Sequence, residues 1–265
     1  MTTEDREALR RAVTQLENPG FAARLANWAG VPVEQIFKRL PSGATQTVQK
    51  AVGAALRRCM DAALFRIDQQ SKWSRSEIAM KITVAATGAA GGALGLAALA
   101  VELPVTTTLM LRSIAEIARE EGENISAPEG ALACLEVFAL GGRKQSEDQA
   151  EVAYFSVRAA LAEEVRVALQ FLSRGGAGRT TAPVLVRFME SIAARFGIVV
   201  TDKVAAQAVP LIGALGGATV NTLFMSHFQE MAHGHFAVRR LERKYGPEVV
   251  RQAYEQFVRS VAMAR

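Results

Sequence analysis

Cysteine is scarce in this sequence: the 265 residues include two, Cys59 and Cys134, and their spacing matches no metal or redox motif. Neither a disulfide framework nor a zinc knuckle is therefore indicated. A signal peptide is also lacking, because the N-terminal stretch MTTEDREALRRAVTQL has no apolar core and has the pattern of an amphipathic helix. These features predict a protein of a reducing compartment, the cytoplasm.

Aromatic residues make up only 6% of the chain, and prolines number eight. The abundance of Ala, Leu, Arg, Glu and Val favours helices over the β-branched and aromatic mixture of sheet proteins. A hydrophobic fraction of 50% is ample for a buried core. The composition predicts an all-α fold. The few aromatics and the lack of a recognition motif disfavour nucleic acid as a partner, despite a net charge of +5.

Apolar residues at three- and four-residue steps predict amphipathic helices that need packing partners. The two clearest stripes lie in residues 44–67 and 150–172. Turns marked by Gly and Pro separate the other candidate helices. One turn, SRGGAGRTT at residues 173–181, echoes a phosphate-binding loop, but it follows a helix and has Arg179 in place of the lysine. The further predicted helices span residues 4–17, 33–39, 129–140, 183–196 and 247–263.

Charge is nearly absent from two stretches, residues 82–111 and 204–225, where Glu102 is the sole charged residue. Both stretches contain glycines four residues apart, a spacing that lets helix backbones approach closely. We therefore predict a multi-helix bundle around these two Ala/Gly-rich segments, which pack against each other. The glycines that form these steps are Gly88, Gly91, Gly92, Gly95, Gly213 and Gly217.

The first uncharged stretch is long enough to cross a bilayer, since about 20 apolar residues suffice. Its composition argues against stable spanning, because residues 82–101 are mostly Ala, Gly and Thr, which contribute little to insertion. Spanning by both stretches would also require the amphipathic residues between them to cross the membrane. A buried hairpin or reversible docking at a membrane is therefore favoured.

Three stretches give the chain a family resemblance. ATGAAGGALGLAALAVELPVTTTLMLRSIAEIA at residues 86–118 joins a Gly/Ala-rich run to an acidic-Leu-Pro corner, and GGATVNTLFMSHF and HFAVRRLERKYG follow at residues 216–228 and 235–246. In order and spacing these resemble the EcsC family of bacterial proteins. The resemblance implies one helical domain over residues 1–265, with an amphipathic N-terminal part, 1–80, and a core, 81–265.

The EcsC family takes its name from an operon that also encodes an ABC transporter linked to secretion. The resemblance therefore implies a non-enzymatic accessory protein, cytoplasmic and peripherally membrane-associated, whose partner is anionic lipid or a membrane transport or secretion protein. A basic ridge on one predicted helix fits anionic headgroups, to which each basic residue contributes on the order of 1 kcal/mol. Its residues are Arg239, Arg240, Arg243 and Lys244. The same ridge is equally explained as a solvated helix face.

A competing hypothesis is a metal-binding protein or metal-dependent enzyme. All three histidines lie in SHFQEMAHGHF, where Glu230 is one helical turn from both His227 and His233. Such Glu-x-x-His spacing brings two ligands inward in carboxylate metal proteins, so a transition-metal ion is a candidate cofactor. A second segment must then supply a carboxylate, and Glu102, Glu116 and Asp202 are the candidates.

Two alternatives remain for these histidines. They cap or line a polar seam or bond to a buried carboxylate, which is a structural role, or they form a pH-sensitive switch. For Glu102 the alternatives are a helix-start carboxylate, a partner for Arg112, or a functional group within the helical seam. A third function hypothesis is a soluble helical interaction scaffold. No pattern in the sequence indicates the oligomeric state.

Overall fold

The computed structural model describes residues 1–17, 20–38, 40, 43–65, 96–142, 152–176, 180–208 and 217–263. Within these ranges the regular elements are helices, and no strand is present. The predicted all-α, multi-helix fold is therefore confirmed. The helices are α1 Thr3–Leu16, α2 Phe21–Ala29, α3 Val33–Phe37, α4 Ala44–Phe65, α5 Leu96–Glu120, α6 Pro128–Leu140, α7 Ala153–Ser173, α8 Pro183–Gln207, α9 Gly217–Tyr245 and α10 Pro247–Met263.

The helices predicted from periodicity are present, with shifts of a few residues at most ends. The exceptions are α8, which continues beyond the predicted end at residue 196 to Gln207, and α2, which was not predicted. Helix α2 has nine residues and is stopped by Gly30, which adopts φ 63° at its C-cap. A helix this short offers too few periodic apolar positions to stand out from a loop.

One continuous hydrophobic core joins all of these helices, from Leu9 on α1 to Tyr254 on α10. Helix α5 packs on α4 and α9, while α8 packs on α4, α6 and α7. Helix α1 lies along α9. The N-terminal amphipathic helices thus share a core with the rest of the chain.

The two uncharged segments fall partly within the described ranges. Residues 96–111 form the first four turns of α5, and residues 217–225 begin α9, which packs against α5. The second segment is split between two helices, since residues 204–207 end α8. Gly217 is the first residue of α9. The other five glycines of the predicted close-packing steps, Gly88, Gly91, Gly92, Gly95 and Gly213, lie outside the described residues.

Pro104 lies inside α5, and the helix continues through it. Glu102 is therefore not a carboxylate at the start of a helix that begins at Pro104, which was one of the alternatives considered for it. Proline has no backbone N–H to donate, so one helical hydrogen bond is missing at this point. The hydroxyl groups of Thr107 and Thr108 donate to the carbonyl oxygens of Leu103 and Pro104, each at 2.7 Å.

Candidate functional site: the apolar end of the bundle

A buried cluster joins three helices around the carboxylate of Glu102 on α5. Its Oε1 atom accepts hydrogen bonds from Lys203 Nζ on α8 at 2.7 Å and from Asn221 Nδ2 on α9 at 2.9 Å. The Lys203 side chain is 0% exposed and that of Glu102 is 8% exposed. These two residues, and not Arg112, which was one of the alternatives, are the hydrogen-bond partners recorded for Glu102. We call Glu102, Lys203 and Asn221 the Glu102 joint.

The position of the joint shows where the uncharged segments enter the bundle. Lys203 lies one turn before the end of α8, Glu102 lies near the start of α5, and Asn221 lies one turn after the start of α9. Because the three side chains touch, these helix ends lie together at one end of the bundle. We call this region, formed by the starts of α5 and α9 and the end of α8, the apolar end.

The electrostatics of the joint are those of a desolvated ion pair. Burial lowers the pKa of Lys203, and the neighbouring Glu102 carboxylate opposes this shift without cancelling it. The Nζ atom of Lys203 also lies 5.0 Å from the ring centroid of Phe224, where a cation interacts favourably with the aromatic face. The charge of Lys203 therefore interacts with one carboxylate and one aromatic ring.

The outer face of α5 at the apolar end carries no charge. Val101 is 73% exposed and Val105 is 41% exposed, one turn apart on the same side of the helix. Glu102, the sole charged residue of the first four turns, is turned inward to Lys203. The start of α5 thus presents an apolar surface to solvent.

Asp202, next to Lys203, points to a different helix. Its carboxylate accepts a hydrogen bond from the backbone N–H of Ala22, in the first turn of α2. This contact satisfies one of the amide groups that a helix leaves unpaired at its start. Burial nevertheless raises the pKa of Asp202 to about 7, from an ordinary value of 3.8.

The raised pKa of Asp202 predicts a specific dependence of stability on pH. Between about pH 4 and pH 7 the folded protein holds a proton that the unfolded chain releases, so stability falls as pH rises through this window. Asp202→Asn removes the burial cost of the charge and is expected to stabilise the protein by a few kcal/mol at pH 8. The gain should shrink at pH 5.

Thermal and urea unfolding at the two pH values measures this effect. Asp61→Asn on α4, an exposed site, is the matched control and should be neutral at both pH values. An Asp202→Asn variant that is no more stable at pH 8 than at pH 5, relative to wild type, would show that the carboxyl is ionised without cost.

Two residues of the predicted metal site, His227 and Glu230, have separate partners, and so does the nearby His235. Glu230 accepts two hydrogen bonds from the guanidinium of Arg24, at 2.7 and 2.9 Å. His227 Nε2 lies 3.0 Å from the carbonyl oxygen of Gly141. His235 Nδ1 lies 3.0 Å from the hydroxyl of Tyr154. The histidine segment thus contacts three different elements of the bundle.

The structure does not bring a metal-ligand set together. In the part of the chain that it describes, no group of three His, Cys, Asp or Glu side chains could hold a metal ion. Glu102 is bound to Lys203, so it does not complete a site with His227, Glu230 and His233, and Glu116 joins no such group either. The geometry favours the structural role for the histidines.

The basic ridge, Arg239, Arg240, Arg243 and Lys244, faces carboxylates of the same chain. Arg239 donates to Glu123 at 2.7 Å, and Arg243 pairs with the same carboxylate and donates to the carbonyl oxygen of Glu121 at 2.7 Å. Burial raises the pKa of Glu123, but the hydrogen bonds and charges of the two arginines outweigh it and leave the pKa below its usual value. The turn after α5 is thereby fixed to α9.

The remaining two ridge residues bind the N-terminal helix. Lys244 donates to Asp5 at 2.7 Å, and Arg240 lies 2.6 Å from Glu121 and 3.3 Å from Asp5. The hydrogen bonds from Lys244 and Tyr245 hold the pKa of Asp5 well below its usual range. All four basic residues of the ridge therefore have carboxylate partners within the protein.

Sequence reasoning missed Lys203 as the partner of Glu102. The two residues are 101 positions apart, so no local pattern joins them. The sequence does contain a signal for this pairing. Asp202 and Lys203 are the last charged residues before the second uncharged stretch, and Glu102 is the sole charged residue in the first.

Among the described residues, no helix is long and apolar enough to cross a membrane. The model of the EcsC protein family matches residues 4–241, which include α2 to α8 and most of α1 and α9. No curated protein and no solved structure matches the chain. The family match includes the Glu102 joint and both uncharged segments, and the chain belongs to the EcsC protein family.

Proposed function

We propose that this protein is a non-enzymatic, membrane-associated accessory protein that docks on a lipid bilayer through the apolar end of its helical bundle. One observation carries the proposal: over its first four turns α5 has a single charged residue, Glu102, which is turned inward to Lys203, while Val101 and Val105 are exposed. Isolated exposed valines are ordinary on protein surfaces. Here they continue an uncharged run that begins at Ile82.

The described parts of both uncharged segments lie at the apolar end. The joint places the start of α5, the end of α8 and the start of α9 together. Among residues 82–95 and 209–216 none is charged. An apolar surface that meets lipid gains roughly 25 cal/mol for each Å² removed from water.

The basic ridge is a weaker candidate for lipid contact. Its four cations already face Asp5, Glu121 and Glu123, and a headgroup would have to replace these partners. Docking through the apolar end and docking through the ridge differ in salt dependence. Ridge binding should weaken sharply at high ionic strength, where the Debye length falls to about 3 Å at 1 M salt.

The experiment is vesicle flotation with phosphatidylcholine alone and with added phosphatidylglycerol, at low and high salt. The wild-type protein is expected to float with both vesicle types and to remain bound at high salt. Binding to anionic vesicles alone, abolished by salt, would assign the contact to the ridge. Failure to float with either vesicle type would overturn lipid docking.

Val101→Glu is expected to lower vesicle binding by about tenfold. The change forfeits the burial of a valine, about 1.5 kcal/mol, and introduces a charge that must be desolvated at the membrane. The matched control is Val249→Glu on α10, where the original valine is 51% exposed and the added charge is the same. Equal losses in the two variants would contradict docking through α5.

A transport or secretion complex is the other membrane partner to test. Wild-type protein that sediments with native membranes, but not with vesicles, and is released after protease treatment of those membranes, would assign the contact to a membrane protein. Such a result would overturn the lipid proposal and leave the membrane-associated role.

A further inference from the structure

The Glu102 joint holds together the helix ends that form the apolar end. Lys203 is fully buried, yet its partner Glu102 lies near the start of a helix, beside solvent-exposed Val101. Asn221 adds a second hydrogen bond to the same carboxylate oxygen, Oε1. One oxygen atom therefore connects α5 to both α8 and α9.

Contacts between charged side chains differ from contacts between apolar side chains in what replaces them when they separate. A buried ion pair repays its desolvation cost only approximately, so it fixes the positions of the helices while adding little net stability. When an ion pair separates at a hydrated surface, water replaces the lost hydrogen bonds and solvates both charges. Apolar contacts have no comparable replacement in water.

Opening of the joint would uncover apolar side chains that lie within about one turn of it. Leu99 and Leu103 flank Glu102 on α5, and Val220 and Phe224 flank Asn221 on α9. Each of the four is at most 3% exposed. Their exposure would enlarge the apolar surface already provided by Val101.

We propose that the Glu102 joint is a latch that closes the apolar end in water and opens at the bilayer surface, so that the starts of α5 and α9 separate and their buried faces join the membrane contact. The inference rests on the proposed lipid docking. It adds that docking includes a conformational change, and it assigns the resistance to that change to Glu102 and Lys203.

The latch is tested first without lipid, by hydrogen exchange. Glu102→Gln removes the carboxylate charge and is expected to speed exchange roughly tenfold at the amides of residues 99–107 and 220–225, while α6 is unchanged. The matched control is Glu242→Gln, which breaks the bidentate contact with Arg158. Glu242 lies 21 residues after Asn221 on α9, about 30 Å along the helix axis.

The second measurement is vesicle flotation of the same variants and of the double variant Glu102→Leu with Lys203→Met. Glu102→Gln is expected to bind vesicles about tenfold more tightly than wild type. The double variant replaces the ion pair with apolar contacts, and it should show slow exchange and bind about tenfold more weakly. Glu242→Gln should match wild type in both measurements.

The two measurements separate the latch from the docking proposal. Unchanged exchange in Glu102→Gln would overturn the latch, whatever the vesicles show. Faster exchange with unchanged flotation would also overturn it, because opening would then be unconnected to docking. If the wild-type protein fails to float, the proposed function is overturned, and so is the latch as a membrane device. If the wild-type protein floats but the variants show unchanged exchange and flotation, the latch alone is overturned.

Discussion

Replacing Glu102 with leucine is expected to lower the free energy of unfolding by about 3–5 kcal/mol, because Lys203 would be left in a fully buried site without a carboxylate partner. This is a large fraction of the stability of an ordinary domain. This loss of stability arises mainly from the buried Lys203 that has lost its partner. It is not a measure of what the intact ion pair contributes.

The double variant Glu102→Leu with Lys203→Met separates these two quantities. Methionine is close to lysine in length, and its sulfur suits the neighbouring ring of Phe224. We expect the double variant to recover the loss, and to match or exceed the wild type by about 1–4 kcal/mol. Urea unfolding of the wild type, both single variants and the double variant gives the coupling energy directly.

A comparison pair exists at the other end of α9. The side chains of Arg158 and Glu242 are 25% and 14% exposed, so water reaches them more readily than it reaches Lys203. Glu242→Leu should therefore cost less than Glu102→Leu. A cost below about 1 kcal/mol for Glu102→Leu, the range of exposed pairs, would show that the joint is hydrated.

Local periodicity was sufficient to predict most of the helices. The apolar stripes predicted in residues 44–67 and 150–172 correspond to α4 and α7. Helices α8 and α10 begin at prolines, at the predicted positions. The signal is local because residues three and four apart share a helix face. Helix α2 was missed because its short length offers little periodicity.

The partners of charged residues could not be predicted in the same way. Lys244 was a candidate for contact with membrane lipid or for a solvated helix face, and in the structure it binds Asp5, 239 positions away. Glu230 was a candidate metal ligand in the competing hypothesis, and in the structure it binds Arg24, 206 positions away. A sequence shows that a charge is present, whereas the topology of the bundle decides which opposite charge lies beside it.

The same limit applies to the turn after α6. The sequence predicts only a glycine-marked turn here, whereas Gly142 lies where the backbone of α8 passes very close to it. A Cβ atom at residue 142 would lie 1.9 Å from the carbonyl oxygen of Arg195. The preceding residue, Gly141, offers its carbonyl oxygen to His227 at 3.0 Å, so this close approach also positions the histidine helix.

Gly142→Ala is therefore expected to destabilise the protein by about 3 kcal/mol or more, the upper range for inserted volume in a packed site, because backbone atoms cannot move aside like a flexible side chain. The matched control is Gly197→Ala, two residues after Arg195 on α8, where an added Cβ meets no atom within 4 Å. In that helix interior the same change should stabilise the protein by about 1 kcal/mol. Urea midpoints that shift in opposite directions would support the close packing of the α6 turn on α8. Equal shifts would show that the two segments lie further apart than the structure places them.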